Sequence, residues 1–140
     1  MLKPRPRIIR YELPGGWLLL LGATDLDNDY LSTAVAAPQD YWFHAEGVPG
    51  SHVILRAKPN EKPDRDTLRR AAAVAAYHSK SRQARIARVY CTLARYVRKP
   101  RGAKIGTVEA IKGSVLKVRP DIGCAVRLTA AEAARLPSVD

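Results

Sequence analysis

Asp40-Tyr-Trp-Phe-His-Ala-Glu-Gly-Val-Pro-Gly-Ser-His-Val-Ile-Leu-Arg56 decides how the chain is read. Two runs of strand-favouring residues, Tyr41 to His44 and His52 to Arg56, flank a segment broken by Gly47, Pro49 and Gly50, which predicts strand, turn, strand. Side chains alternate across a strand. Trp42 and His44 therefore share one face and Tyr41 and Phe43 the other, while His52, Ile54 and Arg56 oppose Val53 and Leu55. Pairing the strands gathers Trp42, His44, His52 and Arg56: an indole, two imidazoles and a guanidinium. Such a set suits stacking on an unpaired base and holding a phosphate. The competing assignment is packed core, with the imidazoles hydrogen-bonded internally. Pro49-Gly50-Ser51 fits a type II turn, and its Ser51 hydroxyl and N–H groups are of the kind that receive an anion.

Upstream, Ile8 to Leu13 and Trp17 to Leu21 flank Pro14-Gly15-Gly16 and read as a first hairpin, with Trp17 in the core. Residues 1–7 form a basic arm with three cations and two prolines, expected to be flexible. The apolar run after it is too short for a signal sequence or a membrane span. Thr24 to Asp29 carries capping residues ahead of Tyr30, Leu31, Ala34 and Val35, which predicts a helix over about 25–36. Its acidic start lacks the glycine and distal glutamate of a calcium loop and is assigned to capping. No metal and no cofactor are expected.

Downstream, Asp64 and Asp66 precede a stripe of Leu68, Ala71, Ala72, Val74, Ala75 and Tyr77, a helix with small side chains suited to close packing on a sheet. A basic stretch from Ser79 to Arg88 follows, then a strand within Val89 to Val97 and a loop from Arg98 to Gly106. Thr107–Ala110 and Ser114–Val118, split by Lys112-Gly113, read as a final hairpin. Thr129 and Glu132 stand at capping-box spacing and predict a short C-terminal helix. The expected fold is a single α+β domain over 8–121 with a C-terminal extension over 122–140. Its mixed or mainly antiparallel sheet has about six to eight strands, with two principal helices on one side.

The net charge is +11, and it is segregated. Residues 11–66 sum to −5, whereas residues 67–119 hold fourteen basic groups against one acid. A block of that kind indicates a polyanionic partner, nucleic acid before membrane, since no amphipathic apolar face accompanies it. The loop from Arg98 to Gly106 combines four cations with Pro100, Gly102 and Gly106, chemistry suited to phosphate. Cys91 and Cys124 stand alone, which fits free thiols in a reducing, cytoplasmic setting.

Several spaced stretches resemble one family. Asp40 to Arg56, Asn28-Asp29-Tyr30-Leu31, Ala75-Ala76-Tyr77-His78-Ser79-Lys80 and Arg95-Tyr-Val-Arg-Lys-Pro-Arg-Gly-Ala-Lys-Ile-Gly106 are similar to the motifs of the NFACT-R domain. That domain is the RNA-binding domain near the C-terminal end of the RqcH and NEMF ribosome quality-control proteins. The likeness runs over about 8–121, with departures at His78, Cys91 and Ile105. It implies a stand-alone form, because 140 residues do not hold the other domains of those proteins. It also implies a non-catalytic RNA-binding module in translation quality control or tRNA metabolism, with tRNA or large-subunit ribosomal RNA as ligand and the large subunit as a further partner; alanine-tail synthesis is not carried over.

The candidate contacts are Trp42, His44, Ser51, His52 and Arg56 in the central stretch. Lys80, Arg82 and Arg85 follow in the next basic segment, and Arg95, Arg98, Lys99, Arg101 and Lys104 around the basic loop. No catalytic residue is assigned. Two alternatives stay open: an RNA-acting enzyme using His44, Glu46 and His52, which lacks the cysteine pair of a zinc deaminase, and an adaptor that docks a protein on the ribosome.

Overall fold

Ile8–Leu13 (β1) turns through Pro14-Gly15-Gly16 into Trp17–Gly22 (β2). Gly15 and Gly16 have φ of 92° and 76°, a region side chains disfavour, and the Gly16 N–H closes the turn on the Leu13 carbonyl at 3.1 Å. Every residue of β2 is buried, so both faces of the sheet need cover there. The computed structural model describes residues 6–138. Of the expected basic arm, residues 1–5 lie outside the described residues; the Arg7 N–H donates to Asp27 Oδ1 at 2.8 Å.

Asp25–Tyr30 (α1) begins at the N-cap Thr24, whose hydroxyl accepts from the Asp27 N–H, and it widens into a π-helical turn over Leu31–Val35. Tyr41–Ala45 (β3) and Val53–Leu55 (β4) pair antiparallel as expected for the central stretch, with Trp42 opposite Ile54. The turn between them differs from type II. Gly47, not Gly50, takes positive φ. Gly50 instead bridges Ser79, and a Cβ on it would stand 2.7 Å from the Ser79 Cβ, so close approach is what requires glycine there.

Arg65–Tyr77 (α2) is capped by Asp64, whose carboxylate accepts from the Thr67 N–H at 2.7 Å. Ala87–Leu93 (β5), a 3-10 turn at Ala94–Tyr96 and Val97–Arg98 (β6) follow. Next come Glu109–Ala110 (β7), Ser114–Val118 (β8), Val126–Leu128 (β9) and Ala130–Ala133 (α3). Seven strands form one antiparallel sheet in the order β8-β5-β3-β4-β2-β1-β9, which puts the central pair in its interior.

Two expectations are corrected. Residues 107–110 and 114–118 do not form a hairpin: β7 pairs with β6 in a separate two-stranded sheet, while β8 joins β5. Gly113 passes so close to β5 that a Cβ would stand 2.3 Å from the Cys91 carbonyl, and this contact draws β8 onto the main sheet. The helices also take opposite faces. Ala71, Ala72, Val74, Ala75 and Ala76 of α2 pack on Leu19, Leu21, Phe43, Val53 and Val89. On the other face Leu31 and the α3 residue Ala133 cover Leu18, Leu20, Trp42 and Ile54. Burying a Leu or Phe side chain stabilises by about 1.5–3 kcal/mol, so apolar residues on both faces of β2 make cover on both sides favourable.

Candidate nucleic-acid interface

The strand period places Trp42, His44 and His52 together as expected, with ring centroids 5.4–6.0 Å apart. The π-helical turn then closes over them. Ser32 Oγ accepts the Trp42 Nε1–H at 3.0 Å and lies 2.7 Å from His52 Nδ1. One hydroxyl thus serves both rings, and the Gly106 and Asn28 backbones also lie against the imidazole. Trp42 is 5% and His52 3% exposed. The hairpin is thus an internal brace, and no indole face is open to a base.

Electrostatics agree with that role. Burial, reinforced by the neighbouring His44, lowers the His52 pKa to about 4, and burial lowers His44 as well. Both imidazoles are neutral at neutral pH. Arg56, on the same sheet face, is spent on Asp40 at 2.7 Å and on the Val35 carbonyl at 3.1 Å. Glu46 does not join the histidines: it pairs with Arg88 at 2.8 Å on the surface, so the acid–base set of the enzymatic alternative is not assembled. Ser51 is half-buried and donates to the Gly22 carbonyl at 2.8 Å.

The cations beyond the hairpin are arranged differently. On one side of the β3–β4 turn, the Ser51 N–H donates to the His78 carbonyl and the Lys80 N–H to the Pro49 carbonyl, fixing the segment that carries Lys80, Arg82 and Arg85. On the other side the basic loop docks on α1. Lys99 Nζ reaches Asp29 Oδ2 and the Thr107 carbonyl, both at 3.0 Å, and also the Lys104 carbonyl. Gly106 lies against Asp25, whose Cβ and Cγ would be 2.8 Å from an added Cβ. Lys99 is therefore a tether rather than a free cation. Arg98 pairs at the surface with Glu109 at 3.2 Å. Lys80, Arg82, Arg85, Arg95, Arg101 and Lys104 are exposed and have no carboxylate partner among the described residues.

Two cavities border these segments, one beside the π-helical turn and one beside α1. One, of about 360 Å³, is bordered by Ser32, Arg95, Arg98 and Lys99. The second, of about 430 Å³, is bordered by Asp25, Ser51, Tyr77, Lys80 and Arg82. Sequence reasoning missed Asp29 as the anchor of Lys99, because the partners are seventy residues apart. It also missed Tyr77, whose ring lies 3.9 Å beneath the Arg82 guanidinium. Tyr77 stands in the apolar stripe of α2, where nothing separates it from core.

A seven-stranded antiparallel sheet, covered on both faces and accompanied by exposed cations without a carboxylate partner among the described residues, defines the class as a cation-rich α+β domain. The chain belongs to the family described as NFACT protein RNA binding domain, which matches residues 8–110. It is 38% identical over 123 residues to the Rqc2 homolog RqcH of Bacillus subtilis (strain 168), covering 88% of this chain and 21% of that protein. With the Rqc2 homolog RqcH of Streptococcus suis (strain 05ZYH33) the identity is 36% over 106 residues, 76% of this chain and 19% of the relative. The chain thus spans about a fifth of the length of these relatives. A solved structure, the C-terminal part of the fibronectin/fibrinogen-binding protein from Streptococcus suis, superposes with a TM-score of 0.78 at 30% identity, over 98% of this chain and 51% of that one.

No helix among the described residues is long and apolar enough to cross a membrane.

Proposed function

We propose that this chain is a non-catalytic RNA-binding module that takes tRNA or large-subunit ribosomal RNA in translation quality control, acting on cytoplasmic ribosomes. The observation that carries this reading is the pair of cationic segments, 80–85 against the β3–β4 turn and 95–104 against α1. Six exposed cations there lack a protein carboxylate among the described residues, and phosphate is the anion their spacing along two loops suits. Membership in an RNA-binding domain family and likeness to RqcH proteins support the same reading.

Affinity for tRNA and for large-subunit ribosomal RNA fragments, measured against salt concentration, tests it. Each single-strand phosphate neutralised contributes about 0.7 to the slope of log affinity against log salt, and each duplex phosphate about 0.9. Arg101→Glu with Lys104→Glu is expected to flatten the slope while leaving the fold intact. An unchanged slope removes the basic loop from the interface. Crosslinking in cells, followed by sequencing of the bound RNA, then separates tRNA from ribosomal RNA.

A further inference from the structure

The cavity bordered by α1, the β3–β4 turn and the turn after α2 contains groups that phosphate binding does not use. We propose that it holds one unstacked guanine nucleotide of the bound RNA; this rests on the RNA-binding reading above and adds a base-specific pocket to it. Its volume of about 430 Å³ is in the range of sites for small ligands. Arg82 lies over the Tyr77 ring at 3.9 Å, and its Nη2 is hydrogen-bonded to the Tyr77 hydroxyl. A guanidinium held in that way has its outer face free, and planar guanidinium faces stack on unpaired bases. Lys80 stands at the rim, where the nucleotide's phosphate would sit.

Asp25 sets the base. Several other polar side chains of the cavity are already engaged. Thr24 Oγ donates to Asp27 Oδ2, Asn28 Oδ1 accepts the His52 N–H, Ser51 Oγ donates to the Gly22 carbonyl and Ser79 Oγ to the Ala76 carbonyl. The Asp25 carboxylate has no partner among the described residues, and it borders the cavity close to Gly106, where an added Cβ would stand 2.8 Å from its Cγ. A carboxylate accepts hydrogen bonds and donates none. Guanine offers two donors side by side, N1–H and the N2 amino group, whereas adenine places an acceptor at N1 and uracil a single N–H between two carbonyls. The carboxylate thus selects guanine by attraction and rejects adenine by repulsion between lone pairs.

The test uses the whole chain and three labelled uridine tracts, carrying a central guanosine, adenosine or uridine, read by fluorescence anisotropy. The wild type is expected to bind the guanosine tract about tenfold tighter than the other two, the scale of one good bidentate base contact. Asp25→Ala erases the preference and keeps or raises affinity for plain uridine; its position is exposed, and circular dichroism checks the fold. Arg82→Gln weakens binding to the guanosine tract most. Equal wild-type affinities for the three tracts, with tRNA binding retained, overturn the guanine pocket and leave the RNA-binding reading standing. A guanosine preference that survives both substitutions also overturns it. Loss of all RNA binding in the wild type would overturn both.

Discussion

Ser32 and His52 meet at 2.7 Å, Oγ to Nδ1, across twenty residues of chain, and this contact fastens the turn after α1 to the middle of the sheet. The imidazole that it holds is buried. Burial lowers the folded-state pKa of His52 to about 4, below the ordinary value of 6.5. A depressed folded-state pKa means that the unfolded chain binds the proton first, so the contribution is fully present above pH 6.5 and is lost as pH falls towards 4. The difference corresponds to roughly 3 kcal/mol. Burial lowers His44 and His78 in the same direction and steepens the loss. Urea unfolding midpoints are expected to be flat above neutrality and to fall steeply between pH 6.5 and 4. His52→Gln should be less stable at pH 7.5 and show a shallower acid slope; an identical slope would assign the titration elsewhere.

Asp40 is fully buried and accepts three hydrogen bonds: from the Ala37 and Ala57 N–H groups at 2.8 Å and from Arg56 Nη1 at 2.7 Å. It thereby ties the start of β3 to the end of β4. Asp40→Ala leaves a part-buried guanidinium and two backbone donors without their acceptor, and is expected to cost about 3–5 kcal/mol. Arg56→Ala leaves the carboxylate with both backbone donors, so its cost should be smaller. Chemical denaturation that ranked Arg56→Ala as the worse variant would contradict this account.

Lys99 and Lys104 are both in the basic loop, yet they predict different outcomes. Lys99 is already neutralised by Asp29 and holds the loop through two carbonyls. Lys99→Ala should cost at most about 1 kcal/mol, as a partly exposed ion pair does. Its larger effect is faster tryptic cleavage after Arg101 and Lys104, with little change in the salt slope of RNA binding. Lys104→Ala should leave cleavage after Arg101 as it was and reduce the slope by about 0.7. Equal slopes for the two variants would refute the distinction.

These contrasts show what the chain alone makes readable. The first hairpin and the helices α2 and α3 are local: Pro14-Gly15-Gly16, Asp64 with Thr67, and Thr129 with Glu132 each act within a few residues, and each element stands where its signal lies. The faces of the central pair were equally legible from alternation. What alternation leaves open is which element lies over a face. Leu31 could serve either side of the sheet, and only the packed structure sets it over Trp42 and closes the stacking platform that those side chains suggested. The partner of β7 was illegible for a related reason, since two residues specify no register. β9, three residues long at the sheet edge beside β1, carried no signal either. The basic segments were readable as charge, but the division of labour between Lys99 and its neighbours depends on Asp29, far away in sequence.

Gly22 ends β2 where α1 folds back, and its lack of a side chain is a packing requirement rather than a conformational one. A Cβ there would stand 2.1 Å from Asn28 Oδ1 and 2.7 Å from the Asn28 backbone nitrogen. The same Asn28 Oδ1 accepts the His52 N–H at 3.0 Å, and the Gly22 N–H donates to the His52 carbonyl at 3.2 Å. Displacing Asn28 therefore frees a buried donor as well as straining the turn. Gly22→Ala is expected to cost about 3 kcal/mol, the upper range for forced overpacking, and to speed hydrogen exchange at the His52 amide. Gly47 provides the contrast. It has φ of 74° but nothing within 4 Å of an added Cβ, so Gly47→Ala should carry only the left-handed backbone cost of about 1 kcal/mol. If Gly47→Ala proves as damaging as Gly22→Ala, the close approach of α1 to β2 is not what demands glycine at position 22.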